Sequence, residues 1–225
     1  MIPVNDNNPT RRIPLMVWVI ILINCICFWH QIHLDDNQLM RFIYSWGMIP
    51  ANYSPEKFQP TLDLILPTVT CMFLHGGLLH IGSNLLFLYV FGDNIEDRMG
   101  HESFFLFYVL CGVAASACHV WMNPDSTVPI IGASGAISGI LGAYLMWFPR
   151  VRLSVILLVF PWPFQVPAFV FLGGWFIMQY FQSQAQANSD GSGVAWWAHI
   201  GGFVAGMVLC WFFAKPKKAA KAASE

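Results

Sequence analysis

Long apolar runs separated by short polar turns dominate the chain. A helix needs about 20 apolar residues to cross a bilayer core, fewer inside a bundle. Six runs meet that measure, at about 15–33, 78–95, 103–122, 132–148, 166–181 and 195–213. Turn signals such as Asn123-Pro-Asp-Ser126 and Ser189-Asp-Gly-Ser192 separate them. The first run follows Arg11-Arg12-Ile-Pro14 and precedes no small-x-small cleavage site, so it reads as an uncleaved anchor rather than a signal peptide. The fifth is the least regular, because Pro161-Trp-Pro163 and Pro167 interrupt its approach. Residues 34–77 form a long segment rich in aromatics and proline (Phe42, Tyr44, Trp46, Tyr53, Phe58), expected to fold onto the membrane interface. The pattern predicts an all-α membrane protein, a six-transmembrane-helix bundle with a long external loop between helices 1 and 2. Its divisions are an N-terminal segment 1–12, a helical domain 13–214 and a basic tail 215–225.

Composition sharpens this picture. With 56% hydrophobic residues, 10% charged and a mean hydropathy of +0.56, the chain is too apolar for a soluble domain of its size. A net charge of −1 gives no basis for binding nucleic acid. The six cysteines (25, 27, 71, 111, 118, 210) mostly sit in apolar runs without metal-ligand spacing and read as buried, reduced thiols; neither a metal nor a cofactor is expected. With the N-terminus inside, Arg11, Arg12, Arg98, Arg150, Arg152, Lys215, Lys217, Lys218 and Lys221 all fall on the cytoplasmic side, leaving Arg41 and Lys57 outside. This places both termini in the cytoplasm, with a bacterial inner membrane as the expected location. The tail Lys215-Pro-Lys-Lys218 is expected to contact lipid headgroups. Asn52-Tyr-Ser54 matches a glycosylation acceptor, meaningful only in a eukaryotic source.

Polar residues inside spans are costly and face the bundle interior. Span two opens with His75-Gly-Gly-Leu-Leu-His80-Ile-Gly-Ser-Asn84, span four with Gly132-Ala-Ser134-Gly135, and span six carries Ala198-His199-Ile-Gly-Gly202. All three run from outside to inside, which puts His80, Asn84, Ser134 and His199 at similar depth near the outer face. Small residues Ser134, Gly135, Ser138, Gly139, Gly142 and Ala143 line one face of span four, and Gly202-x-x-x-Gly206 lies on span six, so these two helices are predicted to pack directly. Such packing would bring the Ser134 hydroxyl to the His199 imidazole, the start of nucleophilic catalysis with His199 as base. The Asn84 amide, the His80 imidazole and the backbone N–H of Ser134 could serve the oxyanion. No Asp or Glu lies in the outer halves of these spans, so the expected unit is a dyad. Taken singly, each residue has a plainer reading: Ser134 as a packing residue, His199 as interhelical glue, His80 and Asn84 as cross-bundle hydrogen-bond partners. A transporter or channel would carry charged groups or broken helices at the midplane and paired repeats, which the pattern lacks.

With Gly-Ala-Ser134-Gly, Ala-His199-Ile-Gly-Gly, His75-x4-His80-x3-Asn84 and Phe91-Gly-Asp-Asn-Ile-Glu96-Asp-Arg-Met-Gly100 in order, one per expected helix end, the chain resembles the rhomboid family of intramembrane serine proteases. The resemblance runs from about Arg11 to Ala214 and fits the minimal six-span form. It implies Ser134 as nucleophile, His199 as general base, Asn84 and His80 in the oxyanion hole, and structural roles for His75 and Glu96. The implied partners are transmembrane segments of other membrane proteins, cut near the outer face, together with membrane lipids. An inactive, client-binding relative would lack the serine or the histidine. The sequence departs from some members at Ser138, where they carry a tyrosine that packs on the imidazole.

Overall fold

The computed structural model describes residues 1–53, 60–157, 160–186 and 194–214. Ser54, Lys57, Phe58, the turn Ser189-Asp-Gly-Ser192 and the basic tail 215–225 lie outside the described residues. The chain is mostly helical. In order it forms strand β1 (Ile2–Asp6), α1 (Leu15–Gln31), α2 (Asp36–Trp46), a 3₁₀ turn (Pro50–Tyr53), the short α3 (Leu62–Ile65) and α4 (Pro67–Thr70), and a second 3₁₀ turn (Cys71–Phe73). The long α5 (Leu78–Met99) and α6 (His101–Met122) follow, then α7 (Ser134–Trp147), β2 (Arg152–Leu157), β3 (Phe160–Pro167), α8 (Ala168–Gln186) and α9 (Trp196–Phe213).

Local chemistry sets the boundaries. The N-terminus of α1 lacks a side-chain cap of its own; instead the buried Glu96 carboxylate accepts the N–H groups of Met16 and Val17, each at 2.8 Å. A buried anion at a helix N-terminus satisfies orphan donors and complements the dipole. Asp35 and Gln38 form a reciprocal capping box at the start of α2. Gly100, at φ 85°, is the single non-helical residue that turns the chain between α5 and α6.

The predicted contact of the fourth and sixth apolar segments is present and very close. A Cβ on Gly202 would lie 2.0 Å from the Gly135 carbonyl oxygen, and one on Gly206 would lie 1.9 Å from that of Gly139. A Cβ on Gly142 would meet the Phe203 carbonyl oxygen at 2.1 Å. The backbones of α7 and α9 thus touch along three glycine positions, as small-xxx-small faces allow. Around this pair the core is aromatic, with Phe91, Phe104, Phe107, Tyr108 and Tyr144 fully buried.

The sheet departs from the all-α expectation. β1, β2 and β3 form an antiparallel three-stranded sheet in that order, with Ile2 opposite Ile156, Asp6 opposite Leu153, and Val155 opposite Phe164. The apolar run after Arg150 is a strand because its inward side chains alternate: Leu153 and Val155 are buried between more exposed neighbours. Proline is confined to the two outer strands, Pro3 in β1 and Pro161, Pro163 and Pro167 in β3, where the missing N–H groups do not interrupt a central ladder. The fifth helix consequently begins at Ala168 rather than 166. The described residues of the segment 34–77 also form short helices, and the segment is tied to the connection before α7 by reciprocal Met48–Ile130 backbone bonds of 3.1 and 2.8 Å.

Among the described residues, α6 and α9 are each long and apolar enough to cross a membrane. A third candidate is the pair formed by residues 62–73 and α5, bent by 81°. The apolar α1 and α7 are shorter, at 17 and 14 residues. By length and composition the structure thus offers two to three crossings, against six read from the sequence. The outward face of α1 is apolar nonetheless, with Trp18, Leu22, Ile26 and Trp29 exposed at helical spacing.

Candidate active site

Ser134 is the first residue of α7 and His199 lies in the first turn of α9. Because the two helix starts are held together by the glycine contacts, the His199 Nε2 reaches the Ser134 Oγ at 2.8 Å. Gly132, at φ 122°, makes the turn into α7, and its N–H donates to the Cys71 carbonyl at 2.8 Å. One turn into α7, the Ser138 hydroxyl donates to the Ser134 carbonyl at 2.6 Å, so Ser138 serves its own helix and is buried there.

A cavity of about 780 Å³ opens over this pair, and Ser134, His199, His80, Asn84 and Gln179 all contribute to its wall. Among the described residues no Asp, Glu, Lys or Arg lines it, and the polar side chains on its wall are Ser, Asn, Gln, His and Trp. Asn84 is buried on α5, and its Nδ2 has no hydrogen-bond partner among the described residues. The His80 Nδ1 accepts the Gly76 N–H at 3.2 Å, which leaves the proton on Nε2. That nitrogen faces Gly132 closely enough that a Cβ there would lie 2.7 Å from it. His75 stands outside the cavity wall. Gln31 clamps its backbone, accepting its N–H at 3.0 Å and donating to its carbonyl at 3.1 Å, and its ring packs edge-on against His80 with centroids 5.0 Å apart.

The structure therefore brings Ser134, His199, His80 and Asn84 to one cavity and leaves His75 behind it and Glu96 at the far end of α5, against the N-terminus of α1. It also brings in residues that the sequence reading passed over. Gln179 of α8, 3% exposed, places its Oε1 2.7 Å from the His199 Nδ1. Trp175, one turn earlier, and Trp196 flank the imidazole, with ring centroids 6.0 and 5.7 Å away. A readable signal existed: Gln179 interrupts the apolar run 168–178 of α8.

A second polar group lies by the sheet. Tyr144 donates to Asp6, Asn94 donates to the Asn8 carbonyl at 2.8 Å, and the Arg98 guanidinium stacks over Trp147 at 4.3 Å. Burial holds the Asp6 carboxyl above its ordinary range, partly offset by the hydrogen bond from Tyr144.

Comparison with known proteins identifies the family. The family model of the Rhomboid domain matches residues 65–216. The chain is 27% identical to Rhomboid protein 1, mitochondrial, of Saccharomyces cerevisiae over 184 residues, covering 78% of this chain and 47% of that protein. It is 27% identical to Rhomboid-like protein 11, chloroplastic, of Arabidopsis thaliana over 221 residues, covering 94% and 69% respectively. Rhomboid protease GluP of Bacillus subtilis is 31% identical over 160 residues, covering 68% of this chain and 27% of that protein. The chain thus spans about half the length of the yeast relative and about a quarter of the Bacillus one. The chain belongs to the rhomboid family.

Proposed function

We propose, with membership of the rhomboid family as the premise, that this chain is an intramembrane serine endopeptidase of six-span form that cuts transmembrane segments of other membrane proteins near the outer face. The observation that carries this reading is the 2.8 Å contact between the Ser134 Oγ and the His199 Nε2 at the wall of a cavity. In this mechanism the Ser134 oxygen attacks the substrate carbonyl carbon while its proton passes to the His199 Nε2. The resulting oxyanion accepts hydrogen bonds from the otherwise unpartnered Asn84 Nδ2, from the His80 Nε2–H and from the backbone N–H of Ser134 in the first turn of α7. The His199 imidazolium then gives its proton to the leaving amine as the C–N bond breaks, leaving an acyl ester on Ser134. A water, deprotonated by the same nitrogen, hydrolyses that ester and frees a carboxylate product. The chemistry needs neither metal nor cofactor. Access for the substrate is assigned to movement of α8, whose start is set by proline-rich β3.

The helical domain 13–214 carries this activity, and the basic tail 215–225 contacts lipid headgroups. The asymmetry of basic residues supports both termini on the cytoplasmic side of a bacterial-type inner membrane. Two of the relatives are named as mitochondrial and chloroplastic, which makes an organelle membrane the alternative setting.

The deciding experiment is labelling of the detergent-purified protein with a fluorophosphonate probe beside the Ser134→Ala variant. The expected result is a labelled wild type and an unlabelled variant of equal thermal stability. Equal, background labelling of both would reject an activated serine and leave a client-binding relative as the better account.

A further inference from the structure

We propose that Gln179 is the positioning residue of the dyad: a neutral amide on α8 that fixes His199 as its Nδ1–H tautomer, in the place a carboxylate holds in a Ser-His-Asp triad. This rests on the serine-protease reading given above. A hydroxyl can lose its proton to His199 only if the Nε2 facing it carries a lone pair, which requires the other nitrogen to hold the hydrogen. The Gln179 Oε1, 2.7 Å from the His199 Nδ1, is an acceptor and so selects that hydrogen. The amide is itself held in this sense, because its Nε2 donates to the Trp175 carbonyl one turn back, at 3.4 Å. With Nδ1–H committed to Gln179, the Nε2 lone pair points at the Ser134 Oγ. Gln179 is nearly inaccessible to water, and Trp175 and Trp196 limit rotation of the ring. The question raised by Ser138, what holds the imidazole when no tyrosine packs on it, thus has an answer on a different helix.

Two consequences separate this arrangement from a carboxylate triad. A neutral acceptor orients the ring without adding charge that would stabilise the imidazolium. The titratable groups that face it are His80 from α5 and His119 from α6, with Cys71 on the cavity wall. The described parts of α7 and α8 place no acid or base on the cavity wall. The acceptor also belongs to α8, whereas Ser134, His80, Asn84 and His199 come from α5, α7 and α9. The base is therefore oriented only while α8 is seated, so the helix assigned to substrate access also sets the readiness of the dyad.

The test is the pH dependence of the fluorophosphonate labelling rate for the full chain in detergent, with imidazole ¹⁵N NMR of histidine-labelled protein. The His199 signal is identified by its loss in His199→Asn. Gln179→Met, which keeps the volume and removes the acceptor, should slow labelling by roughly tenfold or more. Gln179→Glu, which keeps shape and acceptor but adds charge, should retain labelling and move its acid limb to higher pH, because the carboxylate stabilises the imidazolium. A purely structural Gln179 would move neither limb nor tautomer. Folded Met and Glu variants with the wild-type rate and acid limb would overturn the assignment. So would a wild-type His199 carrying its hydrogen on Nε2. Failure of the protease reading looks different: wild type would label no better than Ser134→Ala, while the NMR tautomer would still decide the role of Gln179.

Discussion

Asn84 buries an amide nitrogen with no partner, and such a group costs about 1–3 kcal/mol relative to a satisfied one. A residue kept at that cost at the wall of the Ser134–His199 cavity is explained if its partner is an oxyanion that exists only during reaction. Asn84→Ala should therefore lower kcat by about 10²-fold with little change in KM, less than the loss in Ser134→Ala because other donors remain. Its melting temperature should not fall, since the change removes an unsatisfied group. Cleavage of a fluorescent single-span reporter, run beside thermal unfolding, checks both halves; a stability loss with unchanged kcat would assign Asn84 to packing. Much of this site was legible in the sequence. Ser134, His199, His80 and Asn84 stand out because polar residues at helix starts in an apolar chain have few explanations. Gln179 was harder to single out: its helix follows a proline-broken approach, and uncharged amides recur along it at Gln182, Gln184 and Gln186. Only the packing of α8 against α9 distinguishes the one that meets the imidazole.

Helices α7 and α9 show how element packing positions that chemistry. Their glycines are needed for space rather than conformational freedom, since a methyl group at Gly206 would enter the van der Waals shell of the Gly139 backbone. Gly206→Ala should force the helices apart, destabilise the protein by about 1–3 kcal/mol, and lengthen the Ser134–His199 contact enough to reduce labelling. Gly173→Ala on α8 is the matched control: nothing lies within 4 Å of its added Cβ, and a helix-interior glycine replaced by alanine gains about 0.5–1 kcal/mol. Thermal melts of the two variants should move in opposite directions; equal shifts would deny the close α7–α9 approach. This contact was readable from the small-residue stripe, because the spacing of glycines directly encodes a helix face. The sheet was not. Its central strand 152–157 is only six residues long, and its partner β1 is only five residues long and about 150 positions away in sequence. Pairing over that separation leaves no local pattern to find.

For the whole molecule, the 14 residues of α7 rise only about 21 Å, less than the roughly 30 Å of a bilayer core. In the six-span arrangement proposed above, such a short central helix would leave at least one end submerged, where Ser134 would meet a substrate helix below the membrane surface while the cavity admits water. At the opposite end of α7, β1 ties the start of the chain to β2, and Asp6 accepts the hydrogen bond of Tyr144. Asp6 also shares a small polar recess with Asp93, so its ionisation introduces a like charge as well as a desolvated one. Burial raises the Asp6 carboxyl above its ordinary value of 3.8. A raised carboxyl contributes stability that is full below the unfolded value and is lost as pH rises through the folded one. The wild type should therefore lose stability relative to Asp6→Asn as pH rises from about 4 toward neutrality; the Asn side chain keeps an acceptor for Tyr144 and does not titrate. Thermal melts of both proteins across that range report on this group together with its coupling to Asp93, since the remaining titrations are common to the two. Asp6→Asn should melt a few degrees higher at neutral pH and converge on wild type at the acid end. Curves that stay parallel across the range would mean that Asp6 titrates as it does in the unfolded chain and that its burial against Tyr144 carries no linked proton.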